Sequence, residues 1–239
     1  MSRTDVQVVS DGAALADVAA AHIERVLQGA SEATPATVAL AGGHTPRATY
    51  QHLAARPARW RHVEFFFGDE RCVPPDDDGS NYLMAHQALF ARVPLTGDQV
   101  HRIPGELAPE QAAFAAEEDL RRAFPGDGPP ALDLILLGLG PEGHTASLFP
   151  EAPELEITDR LMVPVNRPDL PQPWRVSMTL PVLNAARHVM FLVDGAEKAP
   201  VVARAIAGDD ALPAGRIRPA GDLTWLVTEA AAADLESIG

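Results

Sequence analysis

The 239-residue sequence predicts an α/β fold, a mostly parallel sheet with helices on both faces, on three observations. Short β-branched or aliphatic runs alternate with longer stretches of helical period. Two of the runs, 63–67 and 132–137, are apolar enough to be strands covered on both faces. Several runs then empty abruptly into glycine or charge, as parallel strands do where they build a site at their carboxyl ends.

Taken in order, residues 6–9 read as the first strand. Ser10 or Asp11 caps the helix that follows, and Leu15, Val18, Ala19, Val26 and Leu27 share one of its faces. Residues 37–41 (TVALA) form a second strand, broken by Gly42 and Gly43. Thr45 is then the expected N-cap and Pro46 the first residue of a helix through Leu53. The strand at 63–67 (VEFFF) ends in Gly68-Asp69-Glu70-Arg71, which by spacing reads as a solvated loop. After a proline-bearing loop over 72–79, Ser80 opens a helix containing Leu83, Ala88, Leu89 and Phe90, and another helix spans 109–124. Strand 132–137 empties into Gly138-Leu139-Gly140-Pro141-Glu142-Gly143-His144. The text from Pro150 to Pro173 is proline-rich and offers no strand; strands follow at 174–180, 189–193 and 223–228, with a helix at 196–207. No repeat and no linker divides the chain, so residues 1–239 are expected to form one domain, with the clusters collected in one crevice.

Composition narrows the function. Hydrophobic residues make up 46% and charged residues 22%, enough for a real core without staples. Nineteen Lys and Arg against 33 Asp and Glu give a net charge of −14, and no basic patch offsets it, so a nucleic-acid partner is not expected. The single cysteine, Cys72, excludes an internal disulfide, and no apolar run reaches the ~18 residues of a membrane span. The expectation is a cytoplasmic protein with no membrane partner, a monomer or a weak oligomer.

Gly138-Leu139-Gly140-Pro141-Glu142-Gly143 matches the G-x-G-x-x-G of dinucleotide sites, but Pro150 and Pro153 cut off the long returning helix that such sites need. What that pattern ignores is His144. At the start of a short helix it would be held neutral as a base; alternatively it merely caps the turn. Gly42-Gly43-His44-Thr45 either offers backbone N–H groups to a phosphate or is an ordinary βα turn. Two cations far off in sequence, Arg175 and Lys198, are either its counter-charges or plain surface residues. Asp76-Asp77-Asp78 lacks the glycine and distal glutamate of a calcium loop, and no histidine pair offers zinc a site, so neither metal nor cofactor is expected. Serine-hydrolase and P-loop patterns are absent.

Taken together, AGGHTP (41–46), FGDERCVP (67–74), SNY (80–82), LDLILLGLGPEGHTASLFP (132–150), PWRVSMTLPVLN (173–184) and FLVDGAEK (191–198) resemble the 6-phosphogluconolactonase family. The resemblance implies a Rossmann-like, NagB/RpiA-like fold and hydrolysis of 6-phospho-D-glucono-1,5-lactone in the oxidative pentose phosphate pathway. It implies His144 as acid/base, and Gly42, Gly43, Thr45, Arg175 and Lys198 around the 6-phosphate. His44, Arg71, Asn81 and Gly143 join these as substrate-binding candidates. Asp69 and Glu70 are candidates for orienting His144 or a sugar hydroxyl, and backbone N–H groups of the 140–145 turn for the oxyanion.

Three residues depart from the family pattern: His44 where serine is usual, Glu142 for aspartate and Glu151 for glycine. The related deaminases carry Asn-Glu where this chain has Leu148-Phe149, which favours the lactonase. The alternatives are an amino-sugar phosphate deaminase or isomerase, or a sugar-phosphate-binding domain without turnover.

Overall fold

The computed structural model describes residues 3–235. In chain order the strands are β1 (Thr4–Val9), β2 (Ala36–Leu40), β3 (Val63–Phe67), β4 (Asp69–Arg71), β5 (Leu134–Leu137), β6 (Met162–Asn166), β7 (Trp174–Met178), β8 (His188–Val193) and β9 (Asp222–Thr228). The helices are α1 (Gly12–Gln28), α2 (His44–Ala54), α3 (Asn81–Ala88), α4 (Pro109–Ala123), α5 (Leu180–Ala185) and α6 (Ala199–Ile206). Six strands form a parallel sheet in the order β1-β9-β8-β5-β2-β3.

The sheet forms where the sequence is apolar on both faces. All four residues of β5 are buried, as are Val38 and Leu40 on the neighbouring β2 and Phe65 and Phe67 on β3 beyond it. Phe191 and Trp225 stand opposite each other on β8 and β9 with rings stacked 3.9 Å apart. Helix α1 starts where Asp11 accepts the Ala14 N–H at 2.9 Å, and it buries Leu15, Ala19, Ile23 and Leu27.

A second, three-stranded antiparallel sheet, β4-β7-β6, was not anticipated. Asp69-Glu70-Arg71 is a strand of it rather than a solvated loop. β6 lies in the proline-rich segment where no strand was expected; Pro164 is tolerated because β6 is an edge strand. Gly68 joins the two sheets: its N–H donates to Leu40 of β2 at 2.9 Å, and its carbonyl accepts from Met178 of β7 at 2.8 Å.

Two helix starts also differ from expectation. The N-cap of α2 is Gly43, at φ +106°, so Thr45 lies within the helix and its first turn has no side-chain cap. No helix begins at His144; residues 140–148 are successive turns. Lys198 closes a 3-10 turn, Ala196–Lys198, just ahead of α6.

Candidate active site

The second sheet sorts its side chains by alternation. Across the register, Asp69, Ser177 and Val163 form one row, and Arg71, Arg175 and Val165 the next, all on one face. Glu70 points to the other face. Its Oε1 accepts from the N–H groups of Arg71 (2.8 Å) and Asn81 (2.7 Å), and its Oε2 from the Tyr82 N–H (2.8 Å) and the Ser80 hydroxyl (3.0 Å). A carboxylate with both oxygens doubly occupied fastens the start of α3 to β4, and Glu70, expected beside Asp69 as a candidate for orienting His144, is not among the residues that line the cavity.

The turns after β5 lie across the first face. Ser147 donates to Asp69 Oδ2 at 2.6 Å through its hydroxyl and to Ser177 Oγ at 3.2 Å through its N–H, while Phe149 packs on Val163 and Val165. Between these anchors and β5 sits His144, half-buried. Its carbonyl accepts the Gly140 N–H at 2.9 Å, and a Cβ on Gly140 would overlap its imidazole at Nδ1 and Cε1. Nδ1 lies 3.0 Å from Glu142 Oε2 without the geometry of a hydrogen bond, a contact that becomes an ion pair only when the imidazole is protonated. The carboxylate beside the imidazole is thus Glu142.

Burial holds the His144 imidazole below its ordinary value; Glu142 and Asp69 push it back up, and Arg175 pushes it further down. The neutral state comes from burial, not from a helix terminus. Burial pushes Glu142 up, but its own N–H and His144 outweigh that and leave it lowered.

Gly143, also a substrate-binding candidate, does not line the cavity described below. Its φ is +89°, its N–H donates to Gly140 at 3.0 Å, and its Cα faces Leu212, so it shapes the turn. The amides of Gly140, Gly143 and Thr145, expected as oxyanion candidates, all donate within the turns.

A cavity of about 270 Å³ opens at the carboxyl ends of β2 and β5. Gly42, Gly43, Asp69, Arg71, Asn81, His144, Arg175 and Lys198 line it, together with the unpredicted walls Gly138 to Pro141 and Ala146. Asn81, held by Asp69 through its Nδ2, packs so closely on Gly42 that no Cβ fits there. His44 and Thr45 do not reach this cavity; they line an adjoining hollow of about 470 Å³ that shares Gly42, Gly43 and Lys198 with it.

Three cations therefore converge, in a chain of net charge −14. Among the described residues, no carboxylate lies within 4.0 Å of Arg71, Arg175 or Lys198. Arg175 is only 8% exposed, its Nε has no partner, and burial lowers its proton affinity. A buried, unpaired guanidinium is costly unless an anion joins it. Ser147 and Ser177, which hold the His144 turns to the sheet, were missed in the sequence; alternation along β7 puts Ser177 on the face of Arg175, whereas Ser147 reaches it from a turn and carries no such signal. Among the described residues, no cluster of three metal-ligating side chains is present, and no helix is long and apolar enough to cross a membrane.

The profile of a family described as glucosamine-6-phosphate isomerases/6-phosphogluconolactonase matches residues 10–225. A 6-phosphogluconolactonase of Nostoc sp. is 42% identical over 206 residues, covering 83% of this chain and 84% of the relative. The human 6-phosphogluconolactonase is 40% identical over 232 residues, covering 92% and 88%. The crystal structure of a Thermotoga maritima 6-phosphogluconolactonase superposes with a TM-score of 0.83 at 32% identity, covering 95% and 100%.

Proposed function

The chain belongs to the glucosamine-6-phosphate isomerase/6-phosphogluconolactonase family, and from that premise we propose that its cavity hydrolyses 6-phospho-D-glucono-1,5-lactone with His144 as the base. The reaction is that of a carboxylic ester hydrolase on an internal ester. The observation that carries the reading is the meeting of a half-buried imidazole with three cations that, among the described residues, lack carboxylate partners.

We assign the proton of the neutral imidazole to Nδ1, on the side of Glu142, and the lone pair to Nε2. Nε2 takes a proton from water as its oxygen bonds to C1. The tetrahedral intermediate collapses with cleavage of the bond from C1 to the ring oxygen, and the imidazolium returns the proton to that oxygen. A base so placed contributes roughly 10²–10⁴-fold. Arg175, Arg71 and Lys198 hold the 6-phosphate, with the N–H groups at the start of α2 beside them. That remote binding energy holds C1 at the base. Asp69, fixed by Ser147 and Asn81, has its place beside the sugar hydroxyls.

Phe149 favours hydrolysis over deamination. A phenyl ring packed 4.6 Å from the imidazole leaves no second carboxylate there for ring opening. Proton release from fresh lactone at mildly acid pH, with and without the protein, tests the reading. Release well above background, lost in His144→Ala, is expected; ammonia release from an amino-sugar phosphate, or no turnover with 6-phosphogluconate still bound, would replace it.

A further inference from the structure

Behind Phe149 stands a cation that the mechanism does not use. Arg167 opens the loop between β6 and β7, which its own N–H closes on the Pro173 carbonyl at 2.7 Å. Its guanidinium carbon lies 3.9 Å from the centre of the Phe149 ring, and that same ring lies 4.6 Å from the His144 imidazole. Asp169 clamps the guanidinium through two hydrogen bonds, 2.9 Å from Nε and 2.7 Å from an Nη. Arg167 does not line the substrate cavity; with Glu142 and Phe149 it lines a separate open hollow of about 510 Å³.

We propose that Arg167 is a positioning residue for the hydrolysis: clamped by Asp169, it holds Phe149 against the imidazole and draws on the Glu142 carboxylate, so that His144 keeps one orientation. The inference rests on His144 being the base. The cation–π contact fixes the ring more firmly than apolar packing alone. The charge also reaches Glu142, whose proton affinity it lowers. The charged groups acting on the imidazole are Glu142 from its own turn, Asp69 from β4 and Arg175 from β7, with Lys198 across the cavity and Arg167, paired with Asp169, on the Phe149 ring. Removing one cation from that set raises the imidazole's proton affinity.

Arg167→Met keeps the bulk and removes the charge. It is expected to lower kcat roughly three- to tenfold, to leave KM within about twofold, and to move the acid limb of kcat/KM to higher pH. Arg167→Lys is expected to restore the limb but only part of kcat, because it keeps the charge and loses the flat face and the double hydrogen bond. In a Phe149→Leu background, Arg167→Met is expected to lower kcat by less than about twofold more. Wild-type kcat and an unmoved acid limb in Arg167→Met, with His144→Ala inactive, would overturn the inference alone. Activity retained in His144→Ala would instead overturn the reading beneath it.

Discussion

Arg71 and Arg175 stand directly opposite each other across the antiparallel pair β4–β7, and among the described residues neither has a carboxylate partner. Like charges in such a pair are destabilising by roughly 0.2–1 kcal/mol, and more where one is buried. The arrangement makes sense as half of an ion cluster whose other half is the substrate phosphate. We predict that Arg175→Met raises the melting temperature of the free protein and abolishes the rise that phosphate or 6-phosphogluconate produces. kcat/KM for the phosphorylated lactone should fall about a hundredfold, while that for plain gluconolactone should hardly change. Calorimetry with and without phosphate checks the first part; an unchanged preference for the phosphorylated lactone would refute the second.

Gly140 is the residue on which the imidazole rests. Its φ is not positive, so alanine fits the backbone, and the obstacle to a methyl group is His144 itself. We predict that Gly140→Ala lowers kcat by about 10²-fold or more, the scale expected when a general base is displaced. The circular dichroism and melting temperature should stay close to wild type. A fully active Gly140→Ala would mean that the imidazole is not held by this contact.

How much of this was legible follows from element length. β3, β5 and β8 are continuous apolar runs, and a parallel sheet with its site at the carboxyl ends could be read from them. β4 has three residues, one turn of alternation, and all three are charged. Their period of two becomes visible only once β7 supplies a partner, and with it the distinction between Asp69 and Arg71 on the cavity face and Glu70 behind. β6 was hidden by Pro164, which argues against a strand unless the strand lies at an edge. His144 could be singled out by its glycine turn, but no sequence rule links it to Glu142 two residues earlier; that contact depends on Gly143 at positive φ. Glu151, where the family pattern has glycine, takes φ +61°, so that departure places a side chain in a conformation suited to glycine.

Glu70 gives the opposite signature to a site residue. Glu70→Gln places an NH2 group where two donors now point, so we predict a loss of about 2–4 kcal/mol in stability. Among molecules that remain folded, KM and kcat should stay within about threefold. Urea denaturation alongside kinetics on the native fraction separates the two effects. A collapse of kcat at unchanged stability would return Glu70 to the mechanism.

Burial sets the sign of the active-site titration. Because it holds His144 below the ordinary imidazole value of 6.5, the base is unprotonated at neutral pH and activity should persist below pH 6.5. Glu142 opposes that shift by stabilising the imidazolium. We predict that Glu142→Gln moves the acid limb of kcat/KM to lower pH while kcat falls, because the imidazole loses the charge that holds its tautomer. A limb that moves up, or not at all, would show that Glu142 does not act on His144.

A second pair of histidines ties stability, rather than activity, to pH. His22 on α1 meets His188 on β8 at 3.0 Å, Nε2 to Nδ1, and His188 Nε2 meets Thr224 Oγ1 on β9 at 2.9 Å. One of the two imidazole nitrogens must accept, so the bond cannot survive when both rings are protonated. Burial, with the charges of His188 and Arg25, pushes His22 down to about 4, and burial also lowers His188, against the pull of Asp222. Both folded-state values lie below the unfolded value near 6.5, so the unfolded chain takes up protons first. The contribution is fully present above pH 6.5 and drains away as the pH falls toward 4. We predict that the urea midpoint drops over this window, and that His22→Gln drops less steeply while losing about 1 kcal/mol at pH 8 with the hydrogen bond. An equally steep acid decline in His22→Gln would locate the sensitive protons elsewhere, with the buried carboxylates of the second sheet the first place to look.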